Sequence, residues 1–185
     1  MFSQWKPLFR WLRRYFHAYG GIRGVAGSPL FGIALIITCL SYSNWLTPNW
    51  TDKVETLIPS LLGFSLGTYA ILFSIISTRL KGALRHLKTS DGVSYLESIN
   101  ATFFHFILVQ VLSLTWATLF QGSWLVDALD YFKPSYPWLE VVELWAFRSG
   151  SFVGFLLLVY SILLTIAAAL AVYRLALIKD PHEDR

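Results

Sequence analysis

The chain has 185 residues, 55% of them hydrophobic and only 14% charged, with a formal net charge of +4 and a mean hydropathy of +0.53. Soluble domains carry about 25% charged residues, so this composition excludes a disordered chain, a nucleic-acid-binding tail protein and an ordinary water-soluble enzyme. Where the charges fall decides what remains.

Residues 1–23 carry Lys6, Arg10, Arg13, Arg14 and Arg23 and no acid. Within 4–19, Trp5, Leu8, Phe9, Leu12, Phe16 and Tyr19 recur at spacings of three and four, while Arg10, Arg13, Arg14 and His17 fall on another face. That pattern predicts an N-terminal amphipathic helix in the membrane interface, aromatics toward the acyl boundary and cations beside anionic headgroups. Docking onto a protein partner is its alternative use. Gly20, Gly21, Gly24 and Gly27 form a flexible joint, and no Lys-Ser or Lys-Thr pair follows to make a P-loop.

Four windows without Asp, Glu, Lys or Arg come next: 24–51, 56–78, 98–126 and 149–173. A spanning helix needs roughly 20 mostly apolar residues, and each window is long enough. The expected fold is an all-α, four-helix transmembrane bundle, a single membrane domain over 1–185 with spans at about 28–47, 56–79, 98–122 and 149–173. The first span is the weakest, its apolar part running from Leu30 to Leu46 and ending in Ser41, Ser43 and Asn44. A long preceding basic region and the lack of a small-x-small site argue against a signal peptide there. Pro59 is expected to bend the outer end of the second helix, which is predicted to continue past the bilayer through Leu80 and Leu87 toward Lys88. Residues 89–92 have turn chemistry, and Ser94 with Glu97 forms a capping box opening the third helix. The outer loop 123–148 is expected to carry a short flat helix after Pro137, and Pro181 to stop the last helix.

Basic residues cluster in residues 1–23, in the loop with Arg79, Lys81, Arg85 and Lys88, and at Arg174, Lys179 and Arg185. The other side has Lys53, Lys133 and Arg148 among the acids Asp52, Glu55, Asp127, Asp130, Glu140 and Glu143. The positive-inside rule therefore predicts a bacterial inner-membrane protein with both termini cytoplasmic. Trp45, Trp50, Trp124, Trp138 and Trp145 are expected at the outer interface, and Trp116 inside the bilayer. Because orientation alone calls for a basic inner face, no nucleic-acid partner is inferred. Arg10, Arg13, Arg14, Arg79, Lys81, Arg85 and Lys88 are instead candidates for anionic lipid or another anionic ligand.

Small residues let transmembrane helices approach closely. Ser60, Gly63, Gly67, Ala70, Ser74 and Ser77 form a six-position stripe on the second span, and Gly150 and Gly154, then Ser161, Thr165 and Ala168, form another on the fourth. Gly27, Ala34, Thr38 and Ser41 do so on the first. The third span has Thr102, Phe106, Gln110, Ser113, Ala117 and Gln121 along one face. Its polar members either bond between helices or line a wetted path, and four helices being too thin for a wide pore, a path requires an oligomer. His105, within the third span, is either a hydrogen-bonded structural side chain or a member of that polar path, a pH sensor or a partner contact.

A single intramembrane histidine cannot supply the paired ligands of a span-held b-type haem, and a lone Cys39 cannot form a disulfide. The spans hold no Asp, Glu, Lys or Arg, one of which proton-coupled carriers normally place there. No catalytic residue, metal or cofactor is therefore expected.

The stretch LLGFSLGTYAILFSIISTRLKGALRHL, residues 61–87, resembles the second span and basic loop of small four-span bacterial inner-membrane proteins of phage-exclusion and defence loci, the Rex B-like family. The resemblance covers about a third of the chain and implies a protein that permeabilises or depolarises the inner membrane when a cytoplasmic sensor triggers it. The expectation is an oligomeric, non-enzymatic membrane protein that is or gates an ion-permeable assembly, with lipids, copies of itself and a cytoplasmic sensor or larger membrane partner around it. A non-catalytic accessory subunit of a larger complex is the alternative.

Overall fold

A computed structural model describes residues 5–47, 49–90, 92–133, 136 and 138–176. Lys179, Pro181 and Arg185 lie outside them. The described chain is helical: α1 (Trp5–Tyr19), α2 (Gly21–Ala26), α3 (Pro29–Leu40), α4 (Tyr42–Trp45), α5 (Trp50–Ile75), α6 (Thr78–His86), α7 (Tyr95–Gln121), α8 (Trp124–Phe132) and α9 (Leu139–Ala176). Three of these, over Trp50–Ser74, Tyr95–Gln121 and Leu139–Arg174, are long and apolar enough to cross a membrane.

The expected first span is not one such helix. α3 covers 12 residues and breaks at Ser41, after which α4 makes a single turn. The Trp45 indole N–H donates to the Thr38 carbonyl at 2.9 Å, taking up an acceptor near the break. Even so, α3 and α4 run antiparallel to α9, from Phe31 edge-on to Tyr160 to Trp45 edge-on to Phe152. They carry the chain from the basic end of the bundle, where α1 and α6 lie, to the end where α5 begins.

The second expected helix also divides. α5 stays helical through Pro59 but stops at Ile75. Ile76 is extended, and the Ser77 hydroxyl caps α6 by accepting from the Leu80 amide at 3.1 Å. Lys81 reaches back with Nζ to the Phe73 carbonyl at 2.8 Å, satisfying the end of α5. α6 leads through a tight turn, with Gly92 at φ 77° and the Thr89 amide bonded to the Val93 carbonyl, into α7, where the Ser94 side chain accepts from the Glu97 amide. The short helix between α7 and α9 is α8, and the residues after Pro137 form no separate short helix. Leu139 to Trp145 are instead the first turns of the 38-residue α9, and Lys133 at the end of α8 pairs with Asp130 and with Glu143 of α9.

Two apolar clusters hold the bundle. At the basic end Phe103, Phe106, Leu164, Tyr160 and Ala34 pack with Leu84 of α6. At the other end Trp50, Val54 and Ile58 of α5 meet Ala117, Phe155 and Leu158. Trp50, expected at the outer interface, faces protein on all sides. It is fully buried, its six-membered ring set so closely on Gly154 that a Cβ there would stand 2.2 Å from it. Gly150 is similarly roofed by Phe120, 2.9 Å from where a Cβ would lie. Trp116, expected deep in the bilayer, donates to the Gly150 carbonyl at 2.9 Å near the same end.

Gly63 and Gly67 behave oppositely, with nothing within 4 Å of a Cβ at either. Gly154→Ala should therefore destabilise the fold by about 1–3 kcal/mol through overpacking, with partial recovery in Gly154→Ala/Trp50→Phe. Gly63→Ala should be neutral, or stabilising by up to about 1 kcal/mol through helix propensity. Unfolding in mixed micelles measures both; equal losses at the two glycines would contradict the packing.

Candidate functional site

The inward face of α7 places Phe103, Phe106, Gln110, Ser113 and Ala117 in the interior. Gln110 and Ser113 are fully buried within the bundle of a single chain, so they do not face a pore shared between chains. Facing helices add Ser65 from α5, Thr38 from α3 and Ser151 and Ser161 from α9, all buried. The Ser65 hydroxyl donates to Gln110 Oε1 at 3.1 Å and lies 2.5 Å from the Leu61 carbonyl. Ser161 bonds its own helix through the Leu157 carbonyl at 2.7 Å. Gln110 Nε2, the hydroxyls of Thr38, Ser113 and Ser151, and Trp50 Nε1 have no hydrogen-bond partner among the described residues. An unmet polar atom of this kind costs about 1–3 kcal/mol, which makes the polar row the least settled part of the core.

Aromatic side chains stand toward both ends of this interior. At the far end stands Trp50, tilted against Phe120. At the basic end is His105, 5% exposed. The Tyr15 hydroxyl lies 2.6 Å from His105 Nδ1, and the Tyr160 hydroxyl lies 2.9 Å from Nε2. Tyr19 stacks on the imidazole with ring centroids 4.0 Å apart. A neutral imidazole donates from one nitrogen and accepts at the other, so one tyrosine accepts and the other donates. Both nitrogens being engaged, His105 offers no lone pair to a metal.

This cluster is what fixes α1. The amphipathic helix docks its Tyr15–Tyr19 edge on α7 and α9, and the Arg14 guanidinium pairs with Glu97, an acid that raises the arginine's pKa. Gly20 and Gly21 adopt left-handed φ values of 97° and 66°, turning the chain sharply into α2 at a place where L side chains are strained. Trp5, Phe9 and Trp11 stay exposed on α1.

Of the remaining candidates, Thr102 is half-buried and bonds the Ser98 carbonyl, and Gln121, the last residue of α7, is exposed. Ser60, Gly63, Gly67, Ala70, Ser74 and Ser77 are all exposed: within the chain the stripe packs against nothing, because α5 turns its Ile58–Ser65 face inward. The small residues Ala34, Thr38, Gly154, Ser161 and Ala168 of the other two stripes do face inward. Arg10, Arg13, Arg79, Arg85 and Lys88 are exposed at the basic end. Sequence reasoning missed Tyr15, Tyr19 and Tyr160 as partners of His105. The signal was there, since a lone intramembrane histidine needs partners for both nitrogens. No family model, curated protein or solved structure matches this chain.

Burial pushes the Tyr15 phenol up to about 12 and raises that of Tyr19. A phenol whose folded-state pKa lies above its ordinary value of about 10 stabilises docking fully below pH 10 and loses that contribution as pH rises to about 12. Spin labels at Arg10 and Lys88 should report a distance that broadens across that range in the parent chain and not in Tyr15→Phe. Identical pH profiles would separate Tyr15 from the docking of α1.

Proposed function

We propose that the protein is an oligomeric, non-enzymatic inner-membrane protein whose polar interior is a closed route for water and small ions. The observation that carries this is the buried row of Gln110, Ser113, Ser151 and Thr38 with unpartnered polar atoms. Such groups gain hydrogen bonds when water enters, so a small parting of the helices is favoured by the row and opposed by the aromatic closures. The route runs within each chain; the unpacked Gly63–Gly67 face of α5 then serves assembly.

In this reading α3 and α4 form a fourth, interrupted crossing, and both termini are cytoplasmic together with α6. Non-helical backbone at membrane depth is tolerated where protein covers it, as the packing of α3 and α4 on α9 provides. The resemblance of residues 61–87 to proteins of phage-exclusion loci suggests the role: depolarisation on infection, with α1 and α6 receiving the signal. The same bare α5 face suits a second reading, a non-catalytic accessory subunit packed on a larger membrane partner.

Alkaline phosphatase should be active when fused at Asn49 and inactive at Ser90; the reverse pattern overturns the topology. Purified protein in liposomes should conduct ions, and Gln110→Leu should abolish flux while insertion is unchanged. Gly63→Leu/Gly67→Leu should dissociate crosslinked oligomers, because the added side chains part the backbones. Flux persisting in Gln110→Leu removes the interior route. No flux from any preparation, with a chain unstable alone, assigns the accessory role.

A further inference from the structure

Docking of α1 does not close the basic end completely. A crevice of about 810 Å³ remains between α1, α5, α6 and α7, within the size range of ligand sites, about 300–1,000 Å³. Leu8, Trp11 and Leu12 of α1 face Leu96 and Phe104 of α7 across it, and Ala18 and Ala101 supply the small side chains that leave the space open. The crevice is more apolar than polar, yet it has a charged border of Arg14, Glu97 and Arg85.

These charges are not equivalent. Glu97 is taken by Arg14, so that pair is neutral as a unit. Arg85 is exposed and has no hydrogen bond or ion pair among the described residues, leaving one unmatched positive charge. Asn100 also lines the crevice. Its Oδ1 accepts from the Tyr69 hydroxyl at 3.1 Å, which leaves its amide N–H groups as donors. An apolar slot, a neutral donor and a single free guanidinium match the parts of one amphiphile: an acyl chain, an ester carbonyl and a monoanionic phosphodiester.

We infer that this crevice binds one anionic phospholipid from the leaflet at the basic end, with Arg85 on the phosphate, Asn100 on the glycerol-ester region and one acyl chain between α1 and α7. Arginine suits this role because its planar fork binds phosphate oxygens in pairs. A soluble phosphate compound would leave the apolar walls unused, and the exposed aromatics of α1 place the slot where acyl chains are at hand. The site is separate from the interior polar row and stands whether or not that row conducts.

The full-length protein, purified in detergent, is exchanged against phosphatidylglycerol or phosphatidylcholine of equal chain length and examined by native mass spectrometry. One phosphatidylglycerol should be retained per chain in preference to phosphatidylcholine. Arg85→Gln should lower its apparent affinity roughly tenfold, the loss of a charge-assisted contact, and Arg85→Lys should restore part of it. Ala101→Trp, which fills the slot without touching a charge, should displace the lipid, while Arg23→Gln outside the crevice should leave it bound. Millimolar inorganic phosphate should not compete. Equal retention of the two lipids, or an unchanged stoichiometry in both Arg85→Gln and Ala101→Trp, would overturn the site as ordinary annular contact; competition by phosphate would overturn the lipid assignment in favour of a small anion.

Discussion

The seating of the Trp50 indole on Gly154 sets how closely α5 approaches α9, and much of the remaining architecture follows from it. With no side chain at 154, the ring is enclosed and the Val54–Ile58 face of α5 is committed to the core. That commitment rotates the Ser60–Gly63–Gly67 stripe outward and brings Ser65 against Gln110. One missing methyl group thus couples the packing of the core and the character of the outer surface.

The gross plan was legible in the sequence because lipid imposes it. Charge-free stretches of 20 residues or more are costly to expose to water and cheap to place in hydrocarbon, and α5, α7 and α9 arise from them. The capping of α7 by Ser94 was readable for a local reason, a hydroxyl three residues before an acid. What failed needed information about faces. In water the apolar side of a helix is the inner side; in lipid both sides are apolar, and small residues on α5 give no indication of whether they face another helix of the chain or its surroundings. Trp50 was assigned to the interface by residue type, whereas the glycine opposite decides its burial. The break at Ser41 was foreshadowed by Ser41, Ser43 and Asn44, whose short polar side chains compete for backbone bonds, but no window count detects it.

At the basic end the separation between helix and membrane surface is filled by protein contacts. The amphipathic pattern of α1 implied a surface helix held by lipid, and its exposed Trp5, Phe9 and Trp11 fit that. Its other edge carries Tyr15 and Tyr19 into His105. The helix thus has two faces, one of exposed aromatic rings and one whose hydroxyls meet the bundle. Moving α1 would withdraw Tyr15 from His105 Nδ1 and leave the imidazole with Tyr160 of α9 alone.

The uninterrupted length of α9 carries a mechanical consequence. At about 1.5 Å per residue, its 38 residues form a rod of about 57 Å, roughly twice the hydrocarbon thickness of about 30 Å. A rod that long acts as a lever: a few degrees of tilt about its middle displaces its two ends in opposite directions. Tyr160 sits on the same rigid body as Glu143, whose tie to Lys133 anchors α8. A displacement beside the histidine is therefore felt, without any intervening hinge, at α8 near the opposite end of the rod.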